Sequence, residues 1–473
     1  MASQMELSTL PTGSARPGPD GTPAALARTM GGFGALLITL SGLSPSIGVF
    51  IVGSDVMHQA GSSTLLCFAA AALLGVAIAN VYAELSAAFP ETGGEYTIVG
   101  RALGPAWGFA MLGLNLLTFA IAPAMTGLGV ATYLQVVTPG LPAVPTAMIA
   151  VALCMGTAVL NVKVNAWVTG AFLSVELISL AVVAWLGFCH PQAGALARIA
   201  HPVLLAHGQL VPVSLAGLGI GAAAAIYAFD GYGSVVYLGE EIKDAPKRIA
   251  RVVFWALGLA VVWQLTPLLA VLIGAPNLQS LFAAESPVPA FIAAAGGPTL
   301  AKVMSLGVAL ALFNAMIASA LMGGRQLYSS GRDRAWGRLS PSFARLHPRF
   351  NSPWIATLTV GGVSLLLCLV KLNVLVILIG DGTAGLYICM SLAALAGRRS
   401  GLTARAAYRM PLFPLLPWLA LAGLLAVGVA DLFDADGRKG VAASVIVVVL
   451  SALYYRFVLK PRGAWAHRGP QDV

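Results

Sequence analysis

The chain has 473 residues, of which 58% are apolar and only 10% charged, whereas soluble domains carry about 25% charged residues. This composition excludes a soluble enzyme and describes a polytopic membrane protein. The net charge of +9 calls for no nucleic-acid partner, because the basic residues are distributed as membrane topology requires.

Residues 1–29 are rich in Pro, Gly, Ser and Thr and have no apolar core. They read as a flexible cytoplasmic tail rather than a signal peptide. A spanning helix needs about 20 apolar residues. Windows of that size predict twelve spans, at 32–54, 63–88, 105–137, 145–163, 166–189, 213–239, 250–274, 299–326, 354–370, 372–397, 412–431 and 440–459. Turn residues such as Pro139-Gly140-Leu141-Pro142 separate them.

Span 1 carries Ser41-Gly42-Leu43-Ser44-Pro45-Ser46-Ile47-Gly48 near its middle. Proline removes an N–H and clashes with the preceding turn, and glycine tolerates unwound backbone, so the helix is expected to break there. At the inner end of span 2 lie Glu84, Glu91 and Glu95. They are candidates for a gate paired with Arg101 or the Arg-rich loop 325–349, or for ordinary solvated surface pairs. Span 5 contains one charge, Glu176, about nine residues from either end, or roughly 13 Å at 1.5 Å per residue. A side chain that short cannot snorkel from such depth, so it must be neutral, paired or facing a wet cavity.

Span 6 holds Tyr227-Ala228-Phe229-Asp230-Gly231, a carboxylate followed by glycine inside an apolar run. An ionisable residue at that depth is a functional-site hypothesis. Span 8 contains Asn314 and Ser319 and span 10 contains Asp381. Asn314 reads as a helix–helix hydrogen-bonding residue, and Asp381 as either a pathway residue or a carboxylate near the outer boundary. The scattered cysteines and histidines have no ligand spacing, so no metal and no cofactor is expected. There is no Walker A pattern to suggest ATP drive.

With the N-terminus inside, twenty-two of the 27 Lys and Arg fall on the cytoplasmic side, and only Arg198, Lys302, Lys371, Arg438 and Lys439 fall outside. This bias supports an even number of spans with both termini cytoplasmic. Broken spans 1 and 6 occupy equivalent places if spans 1–5 and 6–10 are inverted repeats, and such paired breaks mark transporter binding sites at the midplane. The expected organisation is therefore a first repeat over 30–190, a second over 191–397, two further helices over 398–460 and a C-terminal tail over 461–473. Clustered catalytic groups, which a membrane enzyme would need, are absent from the sequence. A channel would need pore-lining rings and oligomeric symmetry.

Four stretches resemble the amino acid–polyamine–organocation (APC) transporter superfamily. They are Gly48-Val49-Phe50; Glu84 through Pro90-Glu91-Thr92-Gly93-Gly94-Glu95-Tyr96 with Gly104-Pro105 and Trp107-Gly108; Tyr227 to Gly231 with Glu240-Glu241 and Pro246-Lys247-Arg248; and Gly324-Arg325 through Arg332-Asp333, Leu339 and Pro341 to Ser352-Pro353. The resemblance implies an all-α fold of twelve transmembrane helices, a five-plus-five inverted repeat (LeuT-like) with helices 1 and 6 broken and two helices added. It implies alternating-access transport of an amino acid or an amine such as a polyamine, by uptake or exchange. The family permits several membranes, and the plasma membrane of a bacterium, its inner membrane, is the expected one.

It further implies that Ser44, Ser46, Ile47 and Gly48 meet a substrate carboxylate. Tyr227, Ala228, Phe229, Asp230 and Gly231 would meet its ammonium, with Tyr227 closing over the substrate. One departure stands out. Pro45 supplies no N–H and Ile47 narrows the approach to the backbone, which weighs toward an amine lacking a carboxylate. In similar transporters span 5 often carries a lysine near the level of Glu176. Removing a carboxylate from water favours its neutral form, so Glu176 is the expected carrier of a coupling proton. A sodium site between spans 1 and 8, with Ser319 as a ligand, is the rival.

Overall fold

The computed structural model describes residues 26, 28–433, 435–463 and 465. The two predicted tails therefore lie largely outside the described residues. The described chain is predominantly helical. Seven of its helices are long and apolar enough to cross a membrane, and Ala143–Ala158, Trp354–Leu367 and Leu415–Asp431 are shorter apolar helices.

The chain opens with α1 (Gly32–Leu43), a π-helical turn (Ile47–Val52) and α2 (Gly53–Ala60). It turns at Gly61 into α3 (Thr64–Ala88), then runs through α4 (Glu95–Leu103), α5 (Pro105–Val137), α6 (Ala143–Ala158) and α7 (Val162–Cys189). Local sequence starts these helices. Pro105 sits in the first turn of α5, where its missing N–H costs nothing. Asn161 Oδ1 accepts the Lys163 N–H at 2.8 Å to cap α7.

The second half begins with α8 (Leu215–Ala228), capped by Ser214 Oγ accepting from Gly217 N–H at 3.1 Å. A 3₁₀ segment follows (Tyr232–Leu238), then α9 (Ala245–Gly274) and the long α10 (Pro287–Arg332), which is interrupted at Gly297 with φ 82°. The remaining long helices are α11 (Trp354–Leu367), α12 (Leu372–Arg399), α13 (Leu415–Asp431) and α14 (Ala435–Tyr454).

Two features depart from expectation. An antiparallel hairpin pairs β1 (Val203–Ala206) with β2 (Gln209–Pro212), so the protein is not purely α. His207 and Gly208 turn it with φ of 51° and 75°, as a tight hairpin requires. It packs so closely on the turn after α2 that a Cβ on Gly61 would meet Val203 O at 2.0 Å. The eighth predicted span also begins earlier than 299, because Pro287 starts a helical segment before the Gly297 break.

In the bundle interior, α5 packs along α10, while α7 packs against α1, α9 and α10. α1 and the 3₁₀ segment after α8 lie side by side among them. The two irregular stretches are thereby brought together in the middle of the protein.

Candidate functional site: two helix breaks and an acidic pathway

The first break is built on Ser44, which adopts φ 48° after the last turn of α1. A non-glycine residue in this region is strained. Ser44 is held there at both ends: its N–H donates to Leu40 O at 2.8 Å and its Oγ donates to Glu176 Oε1 at 2.8 Å. The same Glu176 oxygen accepts the Ser46 N–H at 2.7 Å. Glu176 is fully buried, and among the described residues its Oε2 has no hydrogen-bond partner. The carboxylate at mid-depth of α7 thus caps the helix that resumes at Ile47, where the partial positive charge of the first turn favours an anion.

The second break follows α8. Gly231 takes φ 110°, and a Cβ there would lie 2.9 Å from Leu43 Cα. The breaks therefore touch backbone to backbone, Gly231 against the end of α1. Gln264 on α9 ties them further. Its Nε2 donates to Ala228 O at 2.6 Å, and a Cβ on Gly48 would run into its side chain at 2.4 Å.

Beside the contact lies a cavity of about 110 Å³. Asp230 lies on its wall, accepting from Tyr387 Oη and from Thr383 Oγ1 at 3.4 Å. Deeper in, Glu95 accepts from Tyr82 Oη and from Tyr237 Oη at 2.7 Å. Tyr82, Tyr232 and Tyr387 pack as an aromatic cluster, with the Tyr82 and Tyr387 rings edge to face at 5.7 Å. Gly42 and Leu43 line the cavity from the C-terminal turn of α1, the end of a helix dipole that favours cations. Carboxylates, ring faces and a helix C-terminus all attract an organic cation.

A larger cavity, about 920 Å³, adjoins the first and shares Ile47, Met125, Thr126, Tyr227, Asp230, Thr383 and Tyr387 with it. It leads toward the end of the bundle that carries Asp55, Asp381 and Asp431. Among the described residues no Lys, Arg or His lines either cavity. In a chain with only 18 acidic residues, Asp55, Asp381, Asp431, Asp230 and Glu95 all lie on this path.

The opposite end is closed by ion pairs, two of them with both partners buried. Arg325 Nε donates to Glu241 at 2.7 Å, with exposures of 0% and 2%. Arg332 grips both oxygens of Glu240 at 2.7 and 2.8 Å. Arg398 binds Glu84 through two bonds of 2.6 and 2.8 Å, and Thr403 Oγ1 and Met410 N–H also donate to that carboxylate. Tyr96 donates to Asp333 at 2.7 Å, and Glu91 pairs with Arg101 at 2.6 Å. Met30 adds a strap, its N–H on Glu241 O and its carbonyl accepting from Lys243 N–H, both at 3.0 Å.

Of the nine residues expected at the substrate, Ile47, Tyr227, Asp230 and Gly231 line the central cavity. Ser44 and Ser46 face Glu176 instead. Gly48 and Ala228 face Gln264, and Phe229 is buried edge to face on Phe68 at 5.9 Å. Asn314 is buried with no partner among the described residues and lines neither cavity, so the expected interhelical bond is not made. Ser319 lines the central cavity and Asp381 the larger one. Glu95 departs from the gate reading by pairing with tyrosines rather than an arginine. Sequence reasoning missed Tyr387, Thr383, Tyr82, Tyr237 and Gln264. Thr383 and Tyr387 did carry a signal, a polar pair at i, i+4 on one face of an apolar helix.

Broken helices meeting at a buried, acidic, solute-sized cavity define a membrane transporter rather than an enzyme. The chain belongs to the amino acid permease family, within the APC superfamily: the family model matches residues 30–454. It is 31% identical over 350 residues to an uncharacterized transporter of Mycobacterium tuberculosis, covering 73% of this chain and 74% of that one. It is 24% identical over 419 residues to a methylthioribose transporter of Bacillus subtilis, covering 83% and 86%. It is also 24% identical over 406 residues to a branched-chain amino acid permease of the same organism, covering 82% and 85%.

Proposed function

We propose that the protein is a secondary active transporter of cationic, amine-bearing solutes, amino acids or amines including polyamines, driven by protons through alternating access. The observation that carries this reading is the path from Asp55 to Glu95, lined by five carboxylates and no basic side chain among the described residues. In such a cleft the summed field concentrates cations. Asp230, at the helix break and shared by both cavities, is the residue that meets the substrate ammonium. Tyr227, shared likewise, swings over it and excludes water.

Twelve crossings account for the architecture. The apolar run Gly32–Ala88 makes two, turned at Gly61; the other six long helices, three shorter apolar helices and the broken helix around Asp230 supply the rest. Read as two inverted repeats of five plus two added helices, the breaks at Ser44 and Gly231 are equivalent. With the termini cytoplasmic, the larger cavity opens outward and the ion-paired end is the closed inner gate, so this is an outward-facing state in a plasma membrane.

Glu176 is the coupling residue in this reading. Ionised, it holds the break of α1 to α7 through two charge-assisted bonds. A proton on its unpartnered Oε2 weakens that grip and frees α1 to move. A sodium site near Ser319 is the rival, and exchange without net accumulation is the alternative mode. The test is uptake of a radiolabelled panel of amines and amino acids into proteoliposomes, with imposed proton or sodium gradients. Accumulation of cationic solutes on a proton gradient supports the reading. Accumulation on sodium alone, or selective uptake of anions, sinks it. Glu176→Gln should retain exchange or downhill flux but lose gradient-driven accumulation.

A further inference from the structure

The backbone N–H groups at the α1 break are those that a substrate carboxylate would use, and all of them are engaged, while the Ser46 hydroxyl is buried and lines neither cavity. Pro45 has no N–H. The Ser46 N–H and Ser44 Oγ both donate to Glu176 Oε1. The Ile47 and Gly48 N–H groups return to Ser44 O at 3.0 and 3.4 Å. The approach to Gly48 is filled by Gln264, and Ile47 is the residue of this stretch that faces the cavity.

We propose that Glu176 is a specificity-determining residue, a tethered carboxylate that occupies the anion-binding end of the broken helix and so selects amines lacking an α-carboxylate over amino acids. This rests on the central cavity being the substrate site proposed above, and it narrows the substrate class. A carboxylate brought into that cavity leaves water, finds the break's backbone donors occupied and faces Asp230 and Glu95. Burying an unpaired anion is costly, and like charges add to the cost. An amine of the same skeleton keeps the favourable contact with Asp230 and loses only the group the site rejects.

The selectivity role depends on an acceptor oxygen at Oε1, not on charge, and this separates it from proton coupling. Glu176→Gln retains a carbonyl to receive both bonds. Glu176→Ala removes it and frees the Ser46 N–H. The experiment measures binding to purified full-length protein in nanodiscs by calorimetry, with matched probes: cadaverine against lysine, putrescine against ornithine, tyramine against tyrosine.

In wild type, amines should bind about tenfold or more tightly than their parent amino acids, as expected when one partner leaves buried groups unsatisfied. In Glu176→Ala that ratio should fall by about tenfold through a gain in amino acid affinity, one hydrogen-bonded anion site being worth that much. Glu176→Gln should keep the wild-type ratio. Glu176→Ser replaces the alanine variant if that one does not fold. A purely structural role for Glu176 would alter stability and leave the ratios unmoved, which overturns the inference. Amino acids that match or outbind their amines in wild type overturn it too, while leaving the transporter reading in place. If neither class binds, both fail together.

Discussion

At the residue scale, the site turns on three side chains of unlike visibility. Asp230 is legible from sequence because a carboxylate followed by glycine in an apolar run has few bland explanations. Its partners are not, since Thr383 and Tyr387 lie more than 150 positions away along the chain and only packing brings them to it. Glu176 is legible as an isolated charge at mid-depth, but nothing in its neighbourhood says that it caps a helix belonging to the first span. Glu95 sits in a loop-like charged stretch and reads as a gate residue or a surface pair, whereas folding turns it inward against two tyrosines.

Two predictions belong at this scale. Asp230→Asn keeps the shape and an amide oxygen to accept from Tyr387, with the amide N–H now donating toward Thr383 Oγ1, while removing the charge. It should raise the apparent Km for every cationic substrate by about tenfold or more, the value of one ion pair in a partly dry site. Unaltered Km would remove the ammonium-binding role. Tyr227→Phe should transport nearly as wild type, because among the described residues the hydroxyl's hydrogen bond is a long one to the Met125 sulfur at 3.9 Å, whereas Tyr227→Ala should lose the area that excludes water and slow uptake. Equal rates in the two variants would count against a closing aromatic.

At the element scale, the breaks work because two backbones touch. Gly231→Ala adds a Cβ 2.9 Å from Leu43 Cα at a φ of 110°, so neither the space nor the dihedral is available. The variant should lose several degrees of melting temperature and nearly all transport, measured by thermal unfolding and uptake. A stable, active alanine variant would show that the two breaks are not held in register by this contact. The closed end is an element-level device as well. Many of the residues that resemble the superfamily, Glu84, Glu91, Glu240, Glu241, Arg325 and Arg332, form its ion pairs.

Removing one partner of a buried pair costs about 3–5 kcal/mol because the other charge is left uncompensated. Glu240→Gln should therefore weaken the closed end. The readout is reaction of a cysteine placed at Ser329, which is fully buried there, with an impermeant thiol reagent added on the side of the closed end, in a background without the native cysteines. Faster labelling is expected, and an unchanged rate would mean that Arg332 and Glu240 do not hold the gate. Sequence reading missed elements that lie outside the long apolar runs, among them α4, the β1–β2 hairpin, whose strands are too short to show alternation, and the helical segment from Pro287 to the Gly297 break.

At the scale of the whole molecule, composition gave the class, and the surplus of basic residues obscured the chemistry of the interior. A protein of net charge +9 sets arginines into the ion pairs of the closed end and, among the described residues, lines its two cavities with carboxylates and no Lys, Arg or His. That division is what makes the chain a carrier for cations in this account. The most direct test is accumulation of labelled cadaverine, tyramine and lysine in proteoliposomes under an imposed inward proton gradient, comparing wild type with Asp230→Asn. The account predicts accumulation of at least one of these cations above equilibrium in wild type, collapse when the gradient is dissipated, and none in the variant. Well-folded wild-type protein that accumulates no cationic amine or amino acid, or an Asp230→Asn variant that accumulates as wild type does, would contradict it.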